Sequence, residues 1–123
     1  MDIIKIDYPN GEIEINTLYV IHDMPIGDFK IIAKLFAMYN EPRERWEFIS
    51  MCEDVIKDYK ESVDVFEKEK NTYQAKADGR EYTVFSKEYC NKLISGVQKQ
   101  INGVNTKINR CQRKIDIIKS YMC

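Results

Sequence analysis

Residues 86–122 read SKEYCNKLISGVQKQINGVNTKINRCQRKIDIIKSYM, and this stretch decides the fold. Its apolar residues recur at alternating intervals of four and three positions, which is the a/d heptad pattern of a helix packed on another helix. The seam consists of Cys90, Ile94, Val97, Ile101, Val104, Ile108, Cys111, Ile115, Ile118 and Met122. Ser86 is a preferred N-cap residue, and Glu88 suits the positive end of the helix dipole. The pattern predicts one helix of roughly 37 residues, about 55 Å long.

The middle of the chain carries a matching series. It consists of Ile49, Cys52, Ile56, Tyr59, Val63 and Phe66. A second helix is therefore predicted from about Pro42 to at least Lys70, since proline is tolerated in a first helical turn. Two long helices joined by a short connection are expected to pack antiparallel, as a coiled-coil-like helical hairpin.

The connection between these helices, residues 71–85, has two interpretations. In the first, the helix continues to Ala77 and Gly79 follows it as a C-cap glycine, which places Cys52 level with Cys111. In the second, Asp78-Gly79 begins the turn of a small β-hairpin at the tip, which places Cys52 opposite Val104. Residues 82–85, Tyr-Thr-Val-Phe, are strong strand formers. This composition favours the hairpin.

Residues 1–40 predict a β-hairpin followed by a short helix. Residues 3–8 and 12–16 alternate apolar and polar side chains, and Asn10-Gly11 between them favours a type I′ turn. Residues 17–21 are rich in strand formers and predict a longer second strand or a third strand. Residues 28–39 predict a helix whose buried face is formed by Ile31, Ile32, Leu35, Phe36 and Tyr39. The fold class is therefore α+β, in a single domain of residues 1–123 that comprises residues 1–40 and the helical hairpin of residues 41–123.

Length and composition exclude several classes of protein. With 123 residues, of which 44% are apolar and 32% charged, the chain has the composition of a globular domain, not of a disordered or collagenous protein. No apolar run approaches the ~20 residues of a membrane span. No basic segment followed by an apolar one opens the chain, as it would in a secretory signal. We therefore expect a cytoplasmic protein that does not associate with membranes.

Motifs for catalysis and for metal or cofactor binding are missing from the sequence. The four cysteines are Cys52, Cys90, Cys111 and Cys123, and they show neither a Cys-x-x-Cys pair nor zinc-site spacing. The first three occupy seam positions, where a reduced thiol packs as a small apolar residue. The single histidine, His22, has no serine or cysteine beside it. We expect a protein that is not an enzyme and holds no metal or cofactor.

Charge is segregated along a chain whose net charge is only -1. Residues 1–85 carry 11 basic and 18 acidic side chains, whereas residues 86–123 carry 8 basic and 2 acidic ones. In the heptad frame, Lys107 and Lys114 face the first long helix, while four other cations and two glycines point outward, where a partner could approach. The predicted partner-binding residues are Lys92, Gly96, Lys99, Gly103, Arg110 and Arg113. Trp46 and Phe48 form a secondary candidate surface.

The composition resembles that of small accessory proteins of phages and mobile elements. Ile occurs 17 times and Lys 14 times, against 3 Leu and 4 Ala, a bias typical of AT-rich coding sequence in bacteria and their phages. With the short length and the missing enzyme motifs, the chain is similar in style to inhibitors of bacterial defence such as anti-CRISPR proteins. The resemblance implies a non-enzymatic protein that binds a protein or ribonucleoprotein component of bacterial defence in the cytoplasm of the host.

Two alternatives stay open. The basic last helix could bind nucleic acid, in which case affinity would fall steeply with salt. Alternatively, the helical hairpins of several copies could pair, because Ile at both a and d positions favours more than two strands. Such an oligomer could sequester an anionic nucleotide signal between its subunits.

Overall fold

The computed structural model describes residues 1–122 and shows an α+β fold. In chain order the elements are β1 (Ile3–Tyr8), β2 (Gly11–Asn16), α1 (Thr17–His22), α2 (Ile26–Tyr39), α3 (Pro42–Ala77) and α4 (Lys87–Ser120). The predicted N-terminal hairpin, the short helix and the two long helices are all confirmed. No helix among the described residues is long and apolar enough to cross a membrane.

The hairpin has the predicted strands but not the predicted turn. β1 and β2 pair antiparallel from Ile3 opposite Asn16 to Tyr8 opposite Gly11, so the two-residue loop is Pro9-Asn10. Within residues 1–122 the only residue with positive φ is Gly79, which contradicts a type I′ turn at Asn10-Gly11. The reason is steric: the proline ring fixes φ near −65°, so Pro9 cannot take the first position of a type I′ turn.

Residues 17–21 form a helix, so the predicted strand there is wrong. The Asn16 side chain accepts a hydrogen bond from the backbone N–H of Tyr19 at 3.0 Å, which caps the first turn of α1. Thr17, Val20 and Ile21 are buried at the i, i+3, i+4 spacing of a helix. The cap and this single buried face override the strand propensity of the individual residues.

Helix α2 is in its predicted place but buries a different face. The buried residues are Phe29, Ile32, Ala33 and Phe36. Ile31 and Tyr39, which the sequence placed on the inner face, are 63% and 42% exposed. The face was misassigned because α2 is apolar around most of its circumference, so the apolar pattern alone does not select one side.

The two long helices confirm the heptad prediction. Ser86 caps α4 by accepting a hydrogen bond from the N–H of Tyr89 at 3.1 Å, and α4 continues unbroken through Gly96 and Gly103. Lys70 of α3 donates to the Gln98 side chain of α4 at 3.0 Å. Further from the connection, the ammonium of Lys107 lies 6.0 Å from the centre of the Tyr59 ring. Since contacts later in α3 are made with earlier residues of α4, the two helices run antiparallel here.

The tip of the helical hairpin is a capped helix end followed by a loop, so the β-hairpin favoured by composition is wrong. Gly79 has φ of 78°, and the N–H groups of Gly79 and Arg80 bond to the carbonyls of Lys76 and Ala75 at 3.2 and 2.9 Å. This is a Schellman motif, which satisfies the last carbonyls of α3. Because α3 continues to Ala77, Cys52 and Cys111 lie near each other, as this alternative requires.

Two compact units make up the structure. The N-terminal unit comprises residues 1–57 together with residues 109–122, and the hairpin-tip unit comprises residues 58–108. The N-terminal unit has a full core, with Phe29, Phe36 and Phe48 at most 1% exposed. In the hairpin-tip unit the buried apolar residues are Ala77, Cys90, Val97 and Ile101. This buried set is small because two packed helices bury only a narrow stripe of side chains between them.

Two glycine substitutions should change stability in opposite directions. Gly79→Ala should lower the free energy of unfolding by about 1 kcal/mol, because an L side chain is disfavoured at positive φ. Gly96→Ala should raise it by up to about 1 kcal/mol, since no atom lies within 4 Å of a Cβ built there and alanine is the better helix former. Urea unfolding followed by circular dichroism measures both. Stability changes in the same direction would contradict this description of the two glycines.

Candidate partner-binding surface

Four of the six predicted partner-binding residues lie on one exposed strip of α4. Lys92, Gly96, Lys99 and Gly103 are all exposed and all belong to the hairpin-tip unit. Their spacing of four, three and four residues keeps them on one side of the helix. No atom lies within 4 Å of a Cβ built on either glycine. The helix backbone is therefore open to a partner at two points, each beside a lysine. We call these residues the α4 strip.

A groove between α3 and α4 adjoins the strip. Its volume is about 270 Å³, and its lining residues are Glu69, Tyr73, Lys92, Leu93, Gly96, Val97 and Gln100. Val97 and Leu93 make the groove partly apolar, while Lys92 and Glu69 place one positive and one negative group at it. The Tyr73 hydroxyl donates to the Glu69 carboxylate at 3.4 Å. Two of the predicted residues, Lys92 and Gly96, thus line a concave feature that the sequence did not reveal.

The lysines of the strip lack the internal partners that some other cations of this unit have. Lys70 forms a salt bridge with Glu67 at 3.2 Å, and Lys107 lies over the Tyr59 ring. Within the described residues, neither Lys92 nor Lys99 has a carboxylate within salt-bridge distance of 4.0 Å. The acidic helix α3 therefore does not neutralise them, and their charge is available to a partner.

The other two predicted residues, Arg110 and Arg113, belong to the N-terminal unit. Both are exposed, as predicted. Neither forms a salt bridge within the described part of the chain. They are described separately from the α4 strip because they lie in a different unit.

Lys114, which the heptad frame directed toward the first long helix, is instead buried in the core of the N-terminal unit. Its side chain is 0% exposed, and its ammonium donates to the carbonyls of Val20 at 2.6 Å and Ile21 at 3.0 Å. These carbonyls belong to the last turn of α1, where they have no partner within the helix. The amine also lies 5.7 Å from the centre of the Phe29 ring. Burial lowers the pKa of Lys114, and the nearby Arg110 lowers it further, whereas Cys111, Cys52 and Asp23 oppose the shift.

Two buried thiols accompany this amine. The Cys111 thiol lies 3.8 Å from the Ile21 carbonyl, to which it donates. Burial raises the pKa of Cys52 to about 12 and raises that of Cys111, so both stay protonated at neutral pH. A protonated, buried thiol is a poor nucleophile. Cys52, Cys90 and Cys111 are free thiols, while Cys123 lies outside the described residues.

Only one of the two residues of the secondary candidate surface is exposed. Trp46 is 54% exposed, but Phe48 is fully buried, so it cannot contact a partner. The Phe48 ring stacks on Phe29 at 5.8 Å and meets Phe36 edge-on at 6.3 Å between ring centres. Phe48 is therefore a core residue of the N-terminal unit.

Among residues 1–122, no group of three or more His, Cys, Asp or Glu side chains is placed to hold a metal ion. His22 interacts with other groups of the protein.

Comparison with known proteins finds no match: no protein-family model, no curated protein and no solved structure is significantly similar to the chain. The surface is therefore interpreted from its own geometry and charge.

Replacing Lys114 tests the buried amine. Lys114→Ala should lower the free energy of unfolding by about 3 kcal/mol, because it removes a buried side chain and leaves two carbonyls without donors. Lys114→Met fills the space but also leaves the carbonyls unsatisfied, so it should cost about 1 kcal/mol. The exposed Lys119→Ala is the matched control and should change stability by less than about 0.5 kcal/mol. Urea unfolding measures all three, and a Met variant as stable as the wild type would contradict a stabilising role.

The wild type and Lys114→Met should also differ in how their stability depends on pH. In the folded state the pKa of Lys114 lies below the ordinary value of 10.5. Between these two pKa values the unfolded chain binds more protons at this lysine, so the free energy of unfolding rises with pH. The stability of the wild type relative to Lys114→Met should therefore increase as pH is raised toward 10.5. Urea titrations of both proteins from pH 7 upward measure this difference in the free energy of unfolding. A difference that falls as pH is raised would contradict the lowered pKa of Lys114.

Proposed function

We propose that this protein is a non-enzymatic binding protein that contacts an acidic surface of a partner through the α4 strip. The observation that carries the proposal is the combination, on one side of one helix, of two unneutralised lysines and two glycines with open space above them. We further propose, from the resemblance to phage accessory proteins, that the partner is a protein or ribonucleoprotein of a bacterial defence system in the host cytoplasm.

The two glycines support close approach by a partner. A glycine inside a helix costs about 1 kcal/mol relative to alanine, and nothing within this chain occupies the space above Gly96 or Gly103. Their cost is therefore not offset by a contact inside the molecule. A partner helix packed on these glycines would supply such a contact, since small residues let two backbones approach closely.

The spacing of the lysines suits an acidic helix. Lys92 and Lys99 are separated by one heptad, which is about 10.5 Å along α4. Carboxylates one heptad apart on a facing helix would repeat at the same interval. The lysines flank Gly96, so both charges could pair while the backbones meet at the glycine.

The groove favours a protein partner over nucleic acid. Leu93 and Val97 line it with apolar groups, which can contact an apolar side chain of a protein but make no favourable contact with a phosphate backbone. Nucleic acid is the second candidate, because unneutralised lysines on one face are also the electrostatic pattern of phosphate binding.

Charge reversal separates the proposed surface from the rest of the molecule. The protein is immobilised, and lysate of a bacterial host is passed over it, with the eluate examined for protein and nucleic acid. Lys92→Glu/Lys99→Glu should weaken binding of the captured partner by about 30-fold or more if the lysines are desolvated in the complex. The matched control is Lys60→Glu/Lys68→Glu, an equal charge change at exposed positions on α3 of the same unit, which should bind normally.

Three further measurements refine the result. Arg110→Glu/Arg113→Glu reports on the predicted cations of the N-terminal unit independently of the α4 strip. Affinity measured across salt concentrations tests nucleic acid, for which each phosphate contact adds close to one unit to the logarithmic slope. Unchanged capture by Lys92→Glu/Lys99→Glu would show that the α4 strip is not the contact surface.

A further inference from the structure

The tip of the helical hairpin carries the most exposed apolar side chains of the described chain. We define the tip loop as residues 78–86. Tyr82 is 90% exposed and Val84 is 81% exposed. The rings of Phe85 and Tyr89, 43% and 46% exposed, contact each other with centres 5.0 Å apart. Aromatic and aliphatic groups gathered at one exposed place indicate a contact surface, because isolated proteins seldom expose such patches.

The backbone of this loop is also unpartnered. In the part of the chain that the structure describes, no backbone hydrogen bond involves Tyr82, Thr83 or Val84. The N–H of Phe85 is bonded only to the nearby Thr83 hydroxyl, at 3.1 Å. Tyr-Thr-Val-Phe is a sequence of strong strand formers. The tip loop thus presents a short segment that is suited to a strand and lacks a neighbouring strand.

The charges around Val84 are arranged so that two copies complement each other. Three residues before it stands Glu81, and three residues after it stands Lys87, the first residue of α4. A two-fold axis through Val84 brings the beginning of one loop against the end of the other. Glu81 of each copy then faces Lys87 of the other, and these four side chains together carry no net charge. A partner of one strong charge would gain no such match.

We infer that the tip loop is a homotypic interface, at which the loops of two copies of this chain pair antiparallel about Val84. Identical strand-forming segments supply each other with the hydrogen bonds that each lacks. Tyr82 and Val84 of the two copies cover one another, and Glu81 of one copy pairs with Lys87 of the other. The interface is independent of the α4 strip and stands whether or not the proposed function is correct.

Sedimentation velocity tests the inference with the full chain. From about 5 to about 500 μM the wild type should pass from monomer to dimer, the range in which a small interface becomes populated. Val84→Lys should remain monomeric throughout, because it places two like charges at the axis. Circular dichroism checks that this variant is folded, as expected of a substitution at an exposed loop position. A wild type that is monomeric at the highest concentration would overturn the inference.

A charge swap tests the pairing itself. Glu81→Lys and Lys87→Glu should each weaken dimerisation by about two- to fivefold, and the double variant should restore it to within about twofold of the wild type. Failure of the double variant to restore it would overturn the proposed pairing.

The matched control is Ile31→Lys, which changes an equally apolar, 63% exposed residue of the N-terminal unit. It should dimerise like the wild type. If it abolished dimerisation while Val84→Lys did not, the copies would meet elsewhere and the inference would be wrong.

Discussion

A buried amine organises the core of the N-terminal unit. Lys114 crosses from α4 to the last turn of α1 and bonds the carbonyls of Val20 and Ile21, which α1 itself cannot satisfy. The helix dipole makes this end of α1 negative, which offsets part of the cost of burying the ammonium. Together with the Asn16 cap and the buried face of α1, this contact stabilises a six-residue helix at a place where the local sequence favours a strand.

The basic residues of α4 have different environments, and the environment determines what each can do. Lys114 is inside the core, and Lys107 lies over an aromatic ring of α3. Lys92 and Lys99 are exposed and unneutralised within the same unit as Lys107. Net charge along the sequence could not separate these cases, because the excess of positive charge on the last helix combines a structural lysine with exposed ones.

The glycines of the hairpin-tip unit also divide by their physical role. Gly79 is needed where it stands, since the end of α3 requires positive φ. Gly96 and Gly103 meet no such requirement and no neighbouring atom. The fold therefore explains the first glycine, whereas the other two would be explained by the partner contact that we propose.

The sequence by itself determined the elements whose patterns are long or strongly local. The heptad series predicted α3 and α4 because six apolar positions in the first and ten in the second repeat with one period. The alternating residues 3–8 and 12–16 predicted β1 and β2 to within one residue. Ser86 was identifiable as a cap because its chemistry is local. Exposure of Lys92, Lys99, Arg110 and Arg113 followed from their heptad positions.

Only the tertiary structure decided the rest, because the tertiary contacts of a short segment outweigh its local propensity. Residues 17–21 and 82–85 are both strand formers, yet the first is a helix held by a cap and a buried amine, and the second is an exposed loop without a strand to pair with. Helix α2 is apolar around most of its surface, so contact with Phe48 decided which face is buried. The same holds for the candidate site: the sequence supplied the residues of the α4 strip, but the groove beside it exists only because Glu69 and Tyr73 of α3 lie next to Lys92 and Gly96 of α4.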